Sequence, residues 1–286
     1  MVYTNTQGLP EEFCKAVSVE RHNRKGCYSA TTLNHGIKEI LLTDRHYDEL
    51  TADVSDNIWA IFGTAVHAIM ETQDGDNFKE EFFEVPVSNS KVTGRVDSYD
   101  MEHEVLYDWK TASVWKVKMQ DFTDWDQQGL TYAWLMKQSG LEVRKIVFVA
   151  LLKDHSKSKA RTEHDYPKSP VYRHEVEVTQ EKLDATGARI VAKVRAIESC
   201  LDAEDDAIPA CDEHERWASP AVYAVMKKGR KSALRLCDTE EAAKAYMAEK
   251  GGDEIVYRPG ESRKCADYCV CRDFCDFWKK NNKSPY

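Results

Sequence analysis

Residues 92–111 constrain the fold more than any other stretch of this chain. They read VTGRVDSYD and then MEHEVLYDWKT, two runs of alternating character around a small acidic turn. Alternation is the period of a strand, on which side chains at i and i+2 share a face. Asp108 and Lys110 therefore point one way and Trp109 the other. Asp97, near the end of the neighbouring strand, meets them there. Two carboxylates side by side repel, and a divalent cation is a common way to hold both ionised. The lysine beside them can hold an attacking water or stabilise a developing charge. Taken alone, the trio suits a surface hairpin with a salt bridge equally well.

The surrounding pattern is that of an α/β protein. SATTLNHGIKEILLTDRH reads as a helix capped by Ser29, with Leu33, Ile37, Ile40 and Leu41 on one side. Ser55 or Asp56 caps the next helix, NIWAIFGTAVHAIMET, whose apolar positions predict burial of most of its surface. His67 and Glu71 lie four apart on it and share a face. KEEFFEVPV at 79–87 is a strand. A helix with Thr123 as N-cap and Gly140 as its stop carries Gln128 and Tyr132 on one face. The apolar run at 143–154 is a strand of the central-sheet kind. An exposed loop at 155–170, a strand and a long helix at about 179–201 follow. The tail differs in character: two strands around a Lys-Gly turn, a helix capped by Asp238 with Glu241 at its third position, and a closing strand. These changes divide the chain into a core, 1–205, and a small appended α+β module, 206–286.

Charge excludes a simple nucleic-acid coat, because the net charge is −9. The distribution is uneven. Residues 137–161 hold seven Lys/Arg against two acids, and 226–235 hold five with none. Such basic faces can grip phosphates locally. No apolar run approaches the roughly 20 residues needed to span a bilayer. The start, MVYTNTQGLPEEF, lacks the basic and apolar regions of a secretory signal, so the expected location is the cytoplasm.

Four motifs stand in order along the predicted elements: Gly63 to His67 (G-x-x-x-H) on a helix, Gly94 to Asp97 (G-x-x-D) and Asp108 to Lys110 (D-x-K) on strands, and Gln128 to Tyr132 (Q-x-x-x-Y) on a helix. In this order they resemble the RecB-like branch of the PD-(D/E)xK nucleases, including AddB-type and CRISPR-associated exonucleases. The match covers about residues 28–155 and the cysteines at 265–275. The tail, with E-R-W after Cys211 and the VMKKGRK turn, looks like phage- or prophage-encoded members. The resemblance implies a restriction-endonuclease-like mixed central sheet flanked by helices. It implies a deoxyribonuclease acting on DNA ends, with one or two magnesium or manganese ions held by His67, Asp97 and Asp108, and the Trp109 carbonyl as a further candidate. Lys110 would position or help deprotonate the water, and Gln128 and Tyr132 would orient Lys110, the metal site or the DNA backbone. Glu71 suits a supporting role or a solvated helix end. The alternative is a DNA-binding module of a recombination complex with weak or vestigial catalysis. No G-x-x-x-x-G-K-S/T loop is present, so a helicase would be a separate partner, as would a single-strand annealing protein.

Nine cysteines include Cys265, Cys269, Cys271 and Cys275 within eleven residues. In a reducing compartment such crowding suggests metal before disulfides. Cys265, Cys269 and Cys275 can take three corners of one site, leaving the fourth to Cys271 or a distant residue. The resemblance implies a 4Fe–4S cluster whose fourth cysteine is remote in sequence. In its better-known members that cysteine precedes the nuclease motifs. Here the place holds His35, and Cys27 lies a little early. Cys211 is the preferred fourth ligand, because related phage-type sequences also carry a cysteine before E-R-W. Structural zinc is the rival, since zinc also accepts four thiolates.

Overall fold

The computed structural model describes residues 1–18 and 24–281. In chain order the elements are β1 (Val2–Thr4), α1 (Glu11–Val17), β2 (Cys27–Ser29), α2 (Ile37–Arg45), β3 (Thr51–Asp53), α3 (Ile58–Glu71), β4 (Phe78–Val87), β5 (Ser90–Asp100), β6 (Val105–Ala112), α4 (Val114–Met119), α5 (Thr123–Gln138), β7 (Lys145–Leu152), α6 (Lys157–Thr162), β8 (Val171–Glu177), α7 (Gln180–Ser199), β9 (Val222–Met226), β10 (Arg235–Cys237), α8 (Glu240–Lys250), β11 (Glu254–Arg258), α9 (Arg263–Asp267) and α10 (Asp276–Asn281). They form two compact units, residues 1–35 with 47–203 and residues 36–46 with 204–286.

The first unit is built on a mixed six-stranded sheet flanked by helices, in the order β2-β5-β6-β7-β8 with β4 also on β5. β6 and β7 run parallel through eight paired residues, Val105↔Lys145 to Ala112↔Leu152. The buried run of β7, including Ile146, Val147, Phe148 and Ala150, reflects its central place. β5 has two edges. β4 pairs antiparallel along one of them. The other is shared: β2 pairs in parallel with residues 91–93, and β6 pairs antiparallel with residues 98–100. Residues 94–97 therefore have a strand on one side only. The candidate site sits at that gap.

α5 covers the sheet here. Asp124 and Asp126 lie in its first turn, where the helix dipole favours anions. Gly140, at φ +87°, follows its last turn. A Cβ at Gly94 would stand 2.7 Å from Leu135 and 2.8 Å from Tyr132, and one at Gly129 would stand 2.7 Å from Phe148. Both glycines let helix and strand approach to backbone distance. α7 packs on α5 with Leu183, Thr186, Ile190, Val194 and Ile197 buried at helical spacing. Arg189 donates to Thr131 Oγ1 at 2.8 Å.

Several local expectations change. Ser29 ends a strand rather than capping a long helix, and its hydroxyl accepts the Thr32 N–H of a 3-10 turn at 3.0 Å. α2 starts after Gly36. Asp53, not Ser55 or Asp56, caps the 3-10 turn ahead of α3. Thr123 is the first residue of α5, and Thr239 rather than Asp238 caps α8. The loop at 155–170 contains the short helix α6. The largest departure is α3, which buries none of its residues although its sequence is apolar nearly all round.

The second unit carries an antiparallel sheet, β10-β9-β11. Val225, Cys237 and Ala243 of α8 form its small core, with Tyr223, Tyr246, Met247 and Ile255 against it. The basic turn between β9 and β10 pivots on Gly229, at φ +85°. α2 joins residues 204–281 through buried Lys38, whose Nζ donates to Ile208 O at 2.8 Å and lies 2.5 Å from Asp276 Oδ1.

Gly94→Ala drives a methyl group into Tyr132 and Leu135. We expect it to lower stability by about 1–3 kcal/mol, read from urea unfolding. A loss of only a few tenths would mean that α5 yields without strain.

Candidate active site and cysteine centre

Asp97 lies where β5 has lost its partner. One carboxylate oxygen, Oδ2, accepts the Trp109 N–H at 2.7 Å, a bond that a strand carbonyl would otherwise supply. The other, Oδ1, stands 3.3 Å from His67 Nδ1 on α3. Glu80 Oε1 on β4 is 3.8 Å from the same nitrogen. His67, Glu80 and Asp97 can each offer one ligand atom, all within 4.8 Å of one another.

Glu80 was not singled out by its sequence. It has φ +53°, the left-handed region that a non-glycine residue rarely adopts. The ladder with β5 skips it, between Lys79↔Ser98 and Glu81↔Val96. Its carbonyl accepts from Arg95 Nη1 at 2.7 Å. Strain of this kind collects where the surrounding structure fixes a functional group. The usable signal was the hairpin register, which places residue 80 across from Asp97.

Asp108 is 2% exposed and faces Lys110, whose Nζ is 2.7 Å from its Oδ1. The angle falls outside hydrogen-bond geometry, so that buried oxygen has no hydrogen-bond partner. Burial pushes the Asp108 carboxyl up to about 6, against the opposing pull of Lys110. Lys110 also donates to Gln128 Oε1 at 2.8 Å. Gln128 Nε2 in turn donates to the Tyr132 hydroxyl at 2.8 Å and to Thr31 Oγ1 at 3.2 Å. Burial also raises the Tyr132 hydroxyl, which keeps it a neutral phenol. Thus D-x-K and Q-x-x-x-Y form one chain of contacts, and G-x-x-x-H and G-x-x-D form another beside it. Thr31 was not anticipated. Glu71 adds to the negative field at Glu80.

The donor set fits a divalent cation. Carboxylate oxygens with one imidazole suit magnesium or manganese. Asp108 Oδ1, buried and without a hydrogen bond although Lys110 stands 2.7 Å away, is a further oxygen that a cation could take. Asp108 stands outside the His67–Glu80–Asp97 triangle.

In the second unit Cys211, Cys265, Cys269, Cys271 and Cys275 line one cavity with Lys38, Arg216 and Arg272. Cys269 and Cys271 sulfurs are 3.6 Å apart. Cys211 lies against the Gly36 backbone, where an added Cβ would be 2.3 Å from its sulfur. Burial pushes the Cys211 thiol up to about 12 and also raises Cys265. Cys27 is the first residue of β2, in the first unit.

No protein-family model matches the chain, and no curated protein matches it. Among solved structures it is similar to SSO0001, at 16% identity over 65% of this chain and 87% of that one, with a TM-score of 0.45. An alkaline exonuclease, LHK-Exo, from Laribacter hongkongensis gives 13% identity over 68% and 95%, with a TM-score of 0.40. A phage related exonuclease from Haemophilus somnus 129PT gives 13% identity over 61% and 94%, with a TM-score of 0.38.

His67 is held above its ordinary value of 6.5, first by its bond to Asp97. A raised histidine stabilises the metal-free fold fully below the unfolded value, and that contribution is lost as pH rises through the folded value. Imidazole titration by NMR in chelator should therefore give His67 a pKa above 6.5. Asp97→Asn should bring it down. An unmoved titration in the variant would dissolve the pairing.

Proposed function

We propose that this chain is a metal-dependent deoxyribonuclease of the RecB-like PD-(D/E)xK type, hydrolysing phosphodiester bonds at DNA ends. The observation that carries this reading is the meeting of the four motifs, from α3, β5, β6 and α5, at one gap in the sheet. His67, Asp97 and Asp108, with Glu80 added, would hold one or two magnesium or manganese ions. Such an ion supplies positive charge for the phosphoryl oxygens and for an attacking water.

The protein's own groups do the rest. Asp97 is fixed by the Trp109 N–H, so its free oxygen keeps one direction. Gln128 Oε1 accepts one proton of the Lys110 ammonium and the Asp108 carboxylate faces it as an ion pair, which leaves protons for a water or a phosphate oxygen. Tyr132 fixes Gln128 and carries no charge of its own to disturb the site. In the hydrolysis a water oxygen bonds to phosphorus, the bond to one ester oxygen breaks, and that oxygen takes a proton. DNA is the substrate, and end processing for phage recombination, beside an annealing protein or helicase, is the setting that the motif order suggests.

We further propose that Cys211, Cys265, Cys269 and Cys275 hold a 4Fe–4S cluster. Arg216 and Arg272 line the cavity beside the cysteines, as does Glu39, while Lys38 is already paired with Asp276. A zinc tetrathiolate, with bonds of about 2.3 Å, packs its sulfurs within about 4 Å of one another. The Cys269 and Cys271 sulfurs, 3.6 Å apart, fit that spacing, and structural zinc is the alternative.

Lys110→Ala should lower cleavage of end-labelled DNA in magnesium or manganese by about 10²–10³-fold while leaving DNA affinity in place. Asp108→Ala should abolish cleavage and weaken manganese binding. Wild-type turnover in the Lys110 variant would defeat the assignment. For the cysteines, anaerobically purified protein should be brown and carry iron with acid-labile sulfide. Cys211→Ala and Gly36→Ala should both lose the colour, and Cys27→Ala should keep it. Colourless protein with stoichiometric zinc would replace the cluster by zinc.

A further inference from the structure

α3 presents an aromatic face to solvent beside the candidate active site. Trp59 is 54% exposed and Phe62 50%, with ring centroids 5.6 Å apart. Trp59, Gly63 and His67 follow one another at four-residue steps, so they lie along one side of the helix. At 1.5 Å per residue, Trp59 is about 12 Å from His67 along the axis, a few nucleotides of DNA. Gly63 lies against the strand that carries Lys110, since an added Cβ there would be 4.0 Å from Thr111 Oγ1.

The same edge is basic. Lys153, just beyond the end of β7, places its Nζ 3.9 Å from the Trp59 ring centroid. Its N–H donates to Ala112 O at 3.0 Å, and Asp154 Oδ1 accepts the Val114 N–H at 2.7 Å. These bonds tie Lys153 to the start of α4, where Trp115 is 61% exposed. The chain then enters α6 with Lys157 and Lys159.

We infer that this face is the track for an unpaired DNA strand leading to the catalytic site. It deepens the nuclease reading on which it rests, by naming single-stranded DNA as what the site receives. Exposed aromatic rings offer stacking to bases only where those bases have left their duplex partners. The lysines meet the phosphates between them. A second copy of this chain is the poorer occupant. A two-fold contact repeats the same patch on both sides and sets these lysines against each other.

The test is equilibrium binding by the full chain in EDTA, which stops cleavage, followed by anisotropy of fluorescein-labelled oligodeoxythymidylate and of a blunt duplex. Wild type should prefer the single strand. The double variant Trp59→Ala/Phe62→Ala should bind it about tenfold more weakly and the duplex unchanged. Trp59→Phe keeps a stacking ring and should retain most of the affinity, which separates lost stacking from a damaged helix. Lys153→Ala should reduce the slope of log affinity against log salt by about 0.7. Wild-type affinity in the double variant would overturn the inference. So would equal losses on duplex and single strand, or a wild-type oligomer in sedimentation that the double variant dissociates. If wild type binds the strand but never cleaves DNA, the nuclease reading fails and the track stands. If it cleaves ends while the variants bind normally, only the track fails.

Discussion

The site depends on an interruption. Along one edge of β5, two different strands pair at the two ends and none pairs at residues 94–97. Unpaired backbone inside a sheet is costly, because each buried N–H needs an acceptor. Asp97 resolves part of that cost by accepting the Trp109 N–H through its side chain. A carboxylate is thereby held at the centre of a sheet, where side chains from α3, β4, β6 and α5 can all reach. Gly94 completes the arrangement, since only a residue without a Cβ lets α5 close over the gap.

Electrostatics then shape what can occupy the gap. Asp97, Asp108 and Glu80 crowd one place, and burial raises both Asp108 and Glu80. Lys110 offsets one charge and His67 offers another. The relay from Lys110 through Gln128 to Tyr132 is satisfied within itself, so it can keep the ammonium in place before any ligand arrives.

Much of this could be read from the residues. Period-two alternation places Asp108 and Lys110 on one face, and the strand pairing agrees. Helical spacing brings Gln128 and Tyr132 into contact. What could not be read depends on backbone exceptions or on distant neighbours. Glu80 enters the site through a left-handed φ, which no propensity of a glutamate in KEEFFE announces. α3 shows why an apolar pattern marks a surface that wants covering without saying what covers it. Ser29 caps a turn rather than a helix because β2 pairs with β5 through that residue. The placing of Cys211 against Gly36 joins residues far apart in the chain, and local pattern carries no such information.

That last feature bears on the timing of folding. Lys38 finds its carbonyl partner 170 residues later, and Glu39 meets Lys264 and Cys271 across 225 and 232 residues. On the ribosome α2 emerges early with a lysine and a glutamate whose partners have not been made. Contacts of such separation form slowly, because a long loop must close before any of them is rewarded. α2 therefore waits, while the central sheet, built from strands nearer to one another in sequence, can assemble first. The cavity lined by Lys38, Cys211, Cys265 and Cys275 closes through the same long-range contacts, so it takes shape only once α2 has met them.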